Sequence, residues 1–471
     1  MSSHYSRREW LMRAGGGFGT LALAWLLDRD GYLRAFDPTP IPANPLQVRE
    51  PHFPAKAQRV ISIFLDGGPS HIDLFDPKPE LNKHAGEPLP ESMRRGQADM
   101  GNAKLVACRR KFTKHGQSGL ELSDFLPNLG NVADELAIVR SCHGDSPEHV
   151  QAIRQMHTGV TLTGKASLGA WSVYGLGSPS QDLPGFVVMT DGGEPTGGST
   201  NWGPGILPAA FQGTPFRAGT NPVPHLNPPP GTTPAKQRIK LDLIRDLNQE
   251  HLKDHEGDDA LSARIHAYEV AYRMQSAAPQ VANLKEESET TRHTYGLDKP
   301  SSAEFGRRCL TARRLLEKGV RFVQIYCGAG ARWDAHADLD VNHSQLCARL
   351  DQPLAALIGD LKQRGMLETT LVMLNGEFGR TPTGVSGTGR DHNPYGFSTM
   401  LAGGGIKGGT AFGATDDFGS KAVTDPVHVH DLHATILHLL GFDHSRLTYV
   451  HSGRLERLTG NSGNVVRGVL V

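Results

Sequence analysis

Val60-Ile61-Ser62-Ile63-Phe64-Leu65-Asp66-Gly67-Gly68-Pro69 is the stretch whose reading decides the fold. Its first six residues are apolar and rich in β-branched side chains, which predicts a strand buried in a parallel sheet. The Asp-Gly-Gly-Pro ending predicts a sharp turn that leaves Asp66 at the carboxyl end of that strand. Working outward, similar strand patterns recur at 137–140, 186–189, 321–326, 370–375 and 397–402. Helical patterns lie at about 148–157, 303–318, 343–364 and 431–440. Strands alternating with helices predict an α/β fold, a doubly wound, mostly parallel sheet between helices. Chemistry in such sheets collects beyond the carboxyl ends of the strands.

Residues 203–235 are rich in Pro, Gly and Thr and read as an irregular surface loop. Residues 237–290 are charged, with Ile239, Leu241, Leu243, Ile244 and Leu247 at helical spacing. Together they predict a loop and helical insertion at about 197–296 that covers one edge of the sheet, within one domain spanning 59–471.

The 471 residues carry 49 basic and 49 acidic side chains, a net charge of zero, which argues against nucleic acid as a partner. Five cysteines, odd in number and widely spaced without a C-x-x-C, form neither a disulfide framework nor a zinc-finger pattern. One bridge in an oxidising compartment stays open.

Residues 6–11, Ser-Arg-Arg-Glu-Trp-Leu, followed by the apolar run 14–27, predict a twin-arginine signal segment over 1–30. A Pro-rich, charged linker follows over 31–58. The expected destination is the periplasm or cell envelope. The run is shorter than the roughly 20 residues of a membrane span. No A-x-A cleavage pattern follows it, so the expected membrane link is a retained signal segment at most.

The strand ends carry the chemistry. Asp66 follows the first strand, Asp334 and His336 follow the run at 321–326, Glu377 and Arg380 follow 370–375, and Arg390, Asp391 and His392 precede 397–402. Each has a structural alternative: a turn cap for Asp66, a loop hydrogen bond for Asp334 and His336, an ion pair for Glu377 and Arg380, a turn device for Asp391 and His392. Jointly, one topological edge receives carboxylates and histidines from four strand ends, as a divalent metal site requires. Asp66, Asp334, His336, Glu377, Asp391 and His392 are the predicted ligand group, with zinc, calcium or magnesium as the cofactor. The glycine run 403–409 lacks the Lys-Ser/Thr ending of a phosphate loop and reads as a turn. His428, His430, His433 and His438 surround a helix for which Asp431 is the expected N-cap.

The stretches 63–79, 375–382, 389–394 and 430–441 resemble the signatures of a twin-arginine-exported family abundant in planctomycetes, the domain of unknown function fifteen-oh-one. That family belongs to the alkaline-phosphatase-like and sulfatase superfamily. The resemblance implies that Asp66 is the first-strand ligand, Asp334 and His336 the central pair, and His392 the last histidine. It also implies that Glu377 is a ligand whose usual neighbouring histidine is replaced by Phe378, which points to a single metal. Thr158-Gly159 resembles the end of the sulfatase nucleophile helix, and counting back places His149 at the nucleophile position. No C-x-P-x-R or S-x-P-x-R motif is present, so His149 or Ser146 is expected to deliver the nucleophile or its proton. Arg380 or Arg390 is expected to steady anionic oxygens. The implied function is an exported metal-dependent hydrolase of phosphate or sulfate esters, on a small-molecule or polysaccharide ester substrate. The rival is a non-catalytic binding protein on a degenerate hydrolase scaffold.

Overall fold

The computed structural model describes residues 44–90, 104–217, 222–253 and 259–471. The twin-arginine segment and the linker up to residue 43 lie outside the described residues. Nine strands form one sheet: β1 (Arg59–Leu65), β2 (Leu136–His143), β3 (Phe186–Met189), β4 (Thr214–Pro215), β5 (Phe322–Cys327), β6 (Thr370–Asn375), β7 (Phe397–Ala402), β8 (Thr410–Phe412) and β9 (Val427–His428). Their order is β8-β2-β7-β6-β1-β5-β3-β4, with β9 also paired to β2.

β1 lies inside the sheet, with Ile63 opposite Ile325 of β5 on one side and Leu374 of β6 on the other, both in parallel register. Residues Val60 to Leu65 and all of β5, β6 and β7 are buried, which is why these runs are continuously apolar rather than alternating. Truncating a side chain such as Ile63 here costs about 2–5 kcal/mol, transfer and cavity together. β7 runs antiparallel to both β6 and β2, against the direction of the other strands. The sheet is therefore mixed and mostly parallel. The reversal has a chemical effect: the loop that enters β7 reaches the same edge as the loops that leave β1, β5 and β6.

Helices surround the sheet: α1 (His149–Thr158), α2 (Leu168–Leu176), α3 (Pro234–Lys253), α4 (Asp259–Ala282), α5 (Ala303–Glu317), α6 (Leu339–Gln363) and α7 (Val429–Leu439). α1 follows β2 and stops at Gly159, whose φ of 79° lets its N–H return to the Gln155 carbonyl at 2.8 Å. α7 begins three residues earlier than Asp431 as N-cap would dictate. His428 is its N-cap, taking the His430 N–H at 3.2 Å, while Asp431 reaches back to the His428 N–H at 2.9 Å. On α4, Val270, Met274, Ala278 and Val281 form a buried stripe. α4 packs against α5 and the turn Ala209–Phe211 that leads into β4.

All five cysteines are free and buried. Among the described residues, no helix is long and apolar enough to cross a membrane.

Candidate metal and proton-transfer site

The first turn is built by Gly67. Its φ of +119° and the closeness of the Trp333 and Asp334 backbone leave no room for a side chain. The Trp333 N–H donates to the Asp66 carbonyl at 3.0 Å, so the loop after β5 is pinned to the turn after β1. Gly67 N–H also donates to Glu377 Oε1 at 3.0 Å, which binds in the loop after β6. Three strand ends thus hold one another through backbone donors.

Asp334 is the hub. Its Oδ1 lies 3.0 Å from His336 Nε2, 3.2 Å from His392 Nε2 and 2.6 Å from an Arg380 nitrogen. His336 Nε2 and His392 Nε2 are 3.1 Å apart. Each imidazole is held from behind, His336 Nδ1 by Asp391 at 2.8 Å and His392 Nδ1 by the Pro147 carbonyl at 2.8 Å. Donation from Nδ1–H fixes the tautomer and turns the Nε2 lone pair toward Asp334. Burial acts to raise the Asp334 carboxyl, but His149, His392 and the Arg380 guanidinium overrule it and hold it well below the usual carboxylate range.

His149 is the first residue of α1, and it bridges the two halves of the site. Its Nδ1 lies 2.7 Å from Glu377 Oε1, and its Nε2 lies 3.3 Å from Asp334 Oδ2. Burial pulls this imidazole down, yet the two carboxylates outweigh it and push it up to about 9. Burial raises the fully enclosed Glu377 carboxyl, and His149 draws it partly back. The Phe378 ring packs on both imidazoles, with centroids 5.0 Å from His149 and 4.6 Å from His392.

These residues fit a divalent cation. Two lone pairs and a carboxylate oxygen facing one another at 3.0–3.2 Å repel unless a proton or cation lies among them. A tetrahedral ion with bonds of ~2.0–2.1 Å holds its ligand atoms roughly 3.3 Å apart, close to the spacing here. His149, Asp334 and His392 also offer one atom each within 4.8 Å of one another. The carboxylate–imidazole pair Asp391–His336 is the usual support behind a metal-binding histidine. Among the described residues, buried Asp66 Oδ1 and Asp391 Oδ2 find no hydrogen-bond partner.

The structure therefore gathers Asp334, His336, His392 and His149, with Glu377, Asp391 and Arg380 one contact behind them. Asp66 sits at the β1 turn, its Oδ2 accepting from the Thr196 and Gly330 N–H groups, both at 2.9 Å. Asp391 reaches Asp334 through His336. Three expected residues are not drawn into the cluster: Asp66, held by those backbone donors, Arg390 and Ser146. Arg390 spends its guanidinium on buried Asp73, at 2.8 and 3.3 Å, and on the Thr381 and Pro382 carbonyls. Ser146 donates to Gln151 at 2.9 Å and accepts the Glu148 N–H, as a helix-start residue does. Arg380 is itself largely occupied, by the carbonyls of Gly67, Gly68 and Arg390 besides Asp334. His430 is held between the Gly159 carbonyl and Ser462. Sequence alone does not reveal the aromatic wall formed by Phe378 or the backbone donors of Thr196 and Gly330. Backbone N–H groups leave no mark in a sequence, and Phe378 reads there as a replaced ligand and not as a packing partner.

A comparison with proteins of curated function finds no match. Solved structures give distant likenesses. A phosphonate monoester hydrolase from Silicibacter pomeroyi is 10% identical, covering 88% of this chain and 76% of its own, at a TM-score of 0.38. A sulfatase from Pseudoalteromonas sp. is 12% identical over 87% and 74%, at 0.34. The alkaline phosphatase of the Antarctic bacterium TAB5 is 8% identical over 74% and 92%, at 0.32. Similarity at that level carries no activity across. Residues 57–470 match the family described as protein of unknown function (DUF1501), and the chain belongs to that family.

Proposed function

We propose that this chain is a metal-dependent hydrolase of phosphate or sulfate esters, acting on a small-molecule or polysaccharide ester. The observation that carries the reading is the triangle of Asp334 Oδ1, His336 Nε2 and His392 Nε2, with both imidazoles fixed from behind. Those three atoms would hold the cation, and the imidazole share of the set favours zinc over calcium or magnesium. A cation held by them would supply polarisation of an ester oxygen and a more acidic water.

The chain's own residues supply the rest. His149, whose imidazole the Asp334 and Glu377 carboxylates push up against the effect of burial, has Nδ1 on Glu377 and Nε2 toward the cluster. It is placed to give a proton to a departing ester oxygen. Glu377 fixes its orientation. Arg380 holds Asp334 and adds positive charge where an anionic ester would lie. The twin-arginine pattern at residues 6–11 and the apolar run at 14–27 support export to the periplasm or envelope.

The test is metal content by mass spectrometry after dialysis against metal-free buffer, followed by turnover of aryl phosphates and aryl sulfates. Retention of about one equivalent in the wild type, its loss in Asp334→Ala, and turnover of either ester support the hydrolase. A protein that takes up no divalent metal on titration overturns it. One observation favours a non-catalytic binding protein: the Ser146 hydroxyl is occupied by Gln151 and Glu148. Metal retention without turnover of any ester would select that reading.

A further inference from the structure

Residues 144–148 form a short bridge from the end of β2 to His149 at the start of α1. The bridge grips the loop that carries His392 at two points. Its Gly144 N–H donates to the Pro394 carbonyl at 2.8 Å, and its Pro147 carbonyl accepts from His392 Nδ1, also at 2.8 Å. At its far end it delivers His149 to Glu377 and Asp334. The place of this bridge therefore sets the place of both imidazoles.

One buried side chain holds the bridge. Gln155 of α1 is 2% exposed and spends both ends of its amide on Asp145. Its Oε1 accepts the Asp145 N–H at 2.9 Å, and its Nε2 donates to Asp145 Oδ2. A Cβ added to Gly144 would stand 3.1 Å from Gln155 Oε1, so the bridge lies directly on the amide. The other carboxylate oxygen of Asp145 is taken by His428. His428 Nδ1 accepts the His430 N–H, which leaves the ring proton on Nε2, and Nε2 donates to Asp145 Oδ1 at 3.1 Å. Only an amide suits position 155, since one end must accept from a backbone N–H while the other donates to a carboxylate.

We infer that Gln155 is a positioning residue. Through Asp145 it fixes the tautomer of His392 and the reach of His149, and so tunes the cation affinity of the cluster. The last clause rests on the metal reading proposed above; the tautomer does not.

Nitrogen-15 NMR of the full, metal-free chain labelled at its histidines reads the tautomer at about pH 8, where an ordinary imidazole is neutral. His392→Gln assigns the signal. In the wild type, His392 should carry its proton on Nδ1. Gln155→Met keeps the length, removes both hydrogen bonds and should admit the Nε2–H form. Gln155→Glu should do the same, because it sets two carboxylates face to face. Asp145→Asn alone sets two amides face to face. Combined, Gln155→Glu and Asp145→Asn match every donor to an acceptor again and should return the wild-type tautomer. Zinc titration against a chromophoric chelator should follow the same order, with affinity lowered about 10–100-fold in the single variants. If the wild type takes up no zinc, the metal reading fails and the tautomer series alone decides the inference. Single variants that melt earlier yet keep the wild-type His392 tautomer would overturn it, and so would a double variant no better than Gln155→Glu.

Discussion

His149 Nδ1 lies 2.7 Å from Glu377 Oε1, although 228 positions separate the two residues in the chain. This contact joins the start of α1 to the end of β6 and gives the imidazole a buried carboxylate behind it. Replacing Glu377 by Gln keeps a hydrogen-bond partner and removes the charge, so His149 should lose much of its elevated proton affinity. Turnover of the ester identified by screening should fall about 10²–10⁴-fold. The loss should appear mainly in kcat, and the pH–rate profile should shift toward acid. An unchanged profile would remove His149 from proton transfer.

Asp391 touches the cluster through His336 alone, at 2.8 Å. Asp391→Asn should therefore weaken metal binding about 10–100-fold without abolishing it. Asp334→Ala should abolish it. Competition titration against a chromophoric chelator would separate the two, and equal losses would make Asp391 a ligand in its own right.

The pair Asp73–Arg390 is buried on both sides. Burial pushes the Asp73 carboxyl up, but the Arg390 guanidinium and the Ser70 hydroxyl hold it below its ordinary value. A carboxylate lowered on folding contributes stability in full above its unfolded pKa of about 3.9, and that contribution fades as pH falls through the folded value. Asp73→Asn leaves Arg390 charged and uncompensated, which should cost about 3–5 kcal/mol at neutral pH. The difference from wild type should shrink below about pH 4. Denaturant titration at several pH values would check both the size and the slope.

Gly67→Ala tests the turn that carries the site. A Cβ there would stand 2.5 Å from the Asp334 nitrogen and 2.7 Å from the Trp333 nitrogen, on a backbone of φ +119°. The expected cost is about 1–3 kcal/mol for the strained backbone alone. Displacement of Asp334 should weaken metal affinity as well. A variant with wild-type melting temperature and metal affinity would show that the two loops are not rigidly joined.

Burial pushes the Cys142 and Cys327 thiols up to about 12. Thiolate reagents should therefore react slowly with the native protein and with all five cysteines after unfolding. A lower count in denaturant would reveal a disulfide bridge.

The long buried strands were legible because their burial writes a continuous apolar run into the chain, and the spans at 186–189, 370–375 and 397–402 coincide with β3, β6 and β7. The short edge strands β4, β8 and β9 have two or three residues each, too few for any period to show. α2 escaped for the opposite reason: every residue from Leu168 to Leu176 is buried, so no polar face marks its turns. At the site, the residue types were readable and their order of contact was not. Arg380 and Arg390 look alike in sequence, yet one braces Asp334 and the other serves Asp73. That choice is made by where two loops cross, which local pattern does not encode.

β1 is the earliest strand of the sheet in the chain, yet both of its neighbours, β5 and β6, come from its second half. At synthesis rates of about 5–20 residues per second, β1 waits roughly 10–50 s for its first partner. Throughout that interval Val60 to Leu65 is an unpaired apolar ribbon on an incomplete polypeptide. Its safe passage depends on a chaperone or on temporary contacts with nearby segments, so translation speed and chaperone supply should govern the yield of active protein as strongly as the stability of the finished sheet.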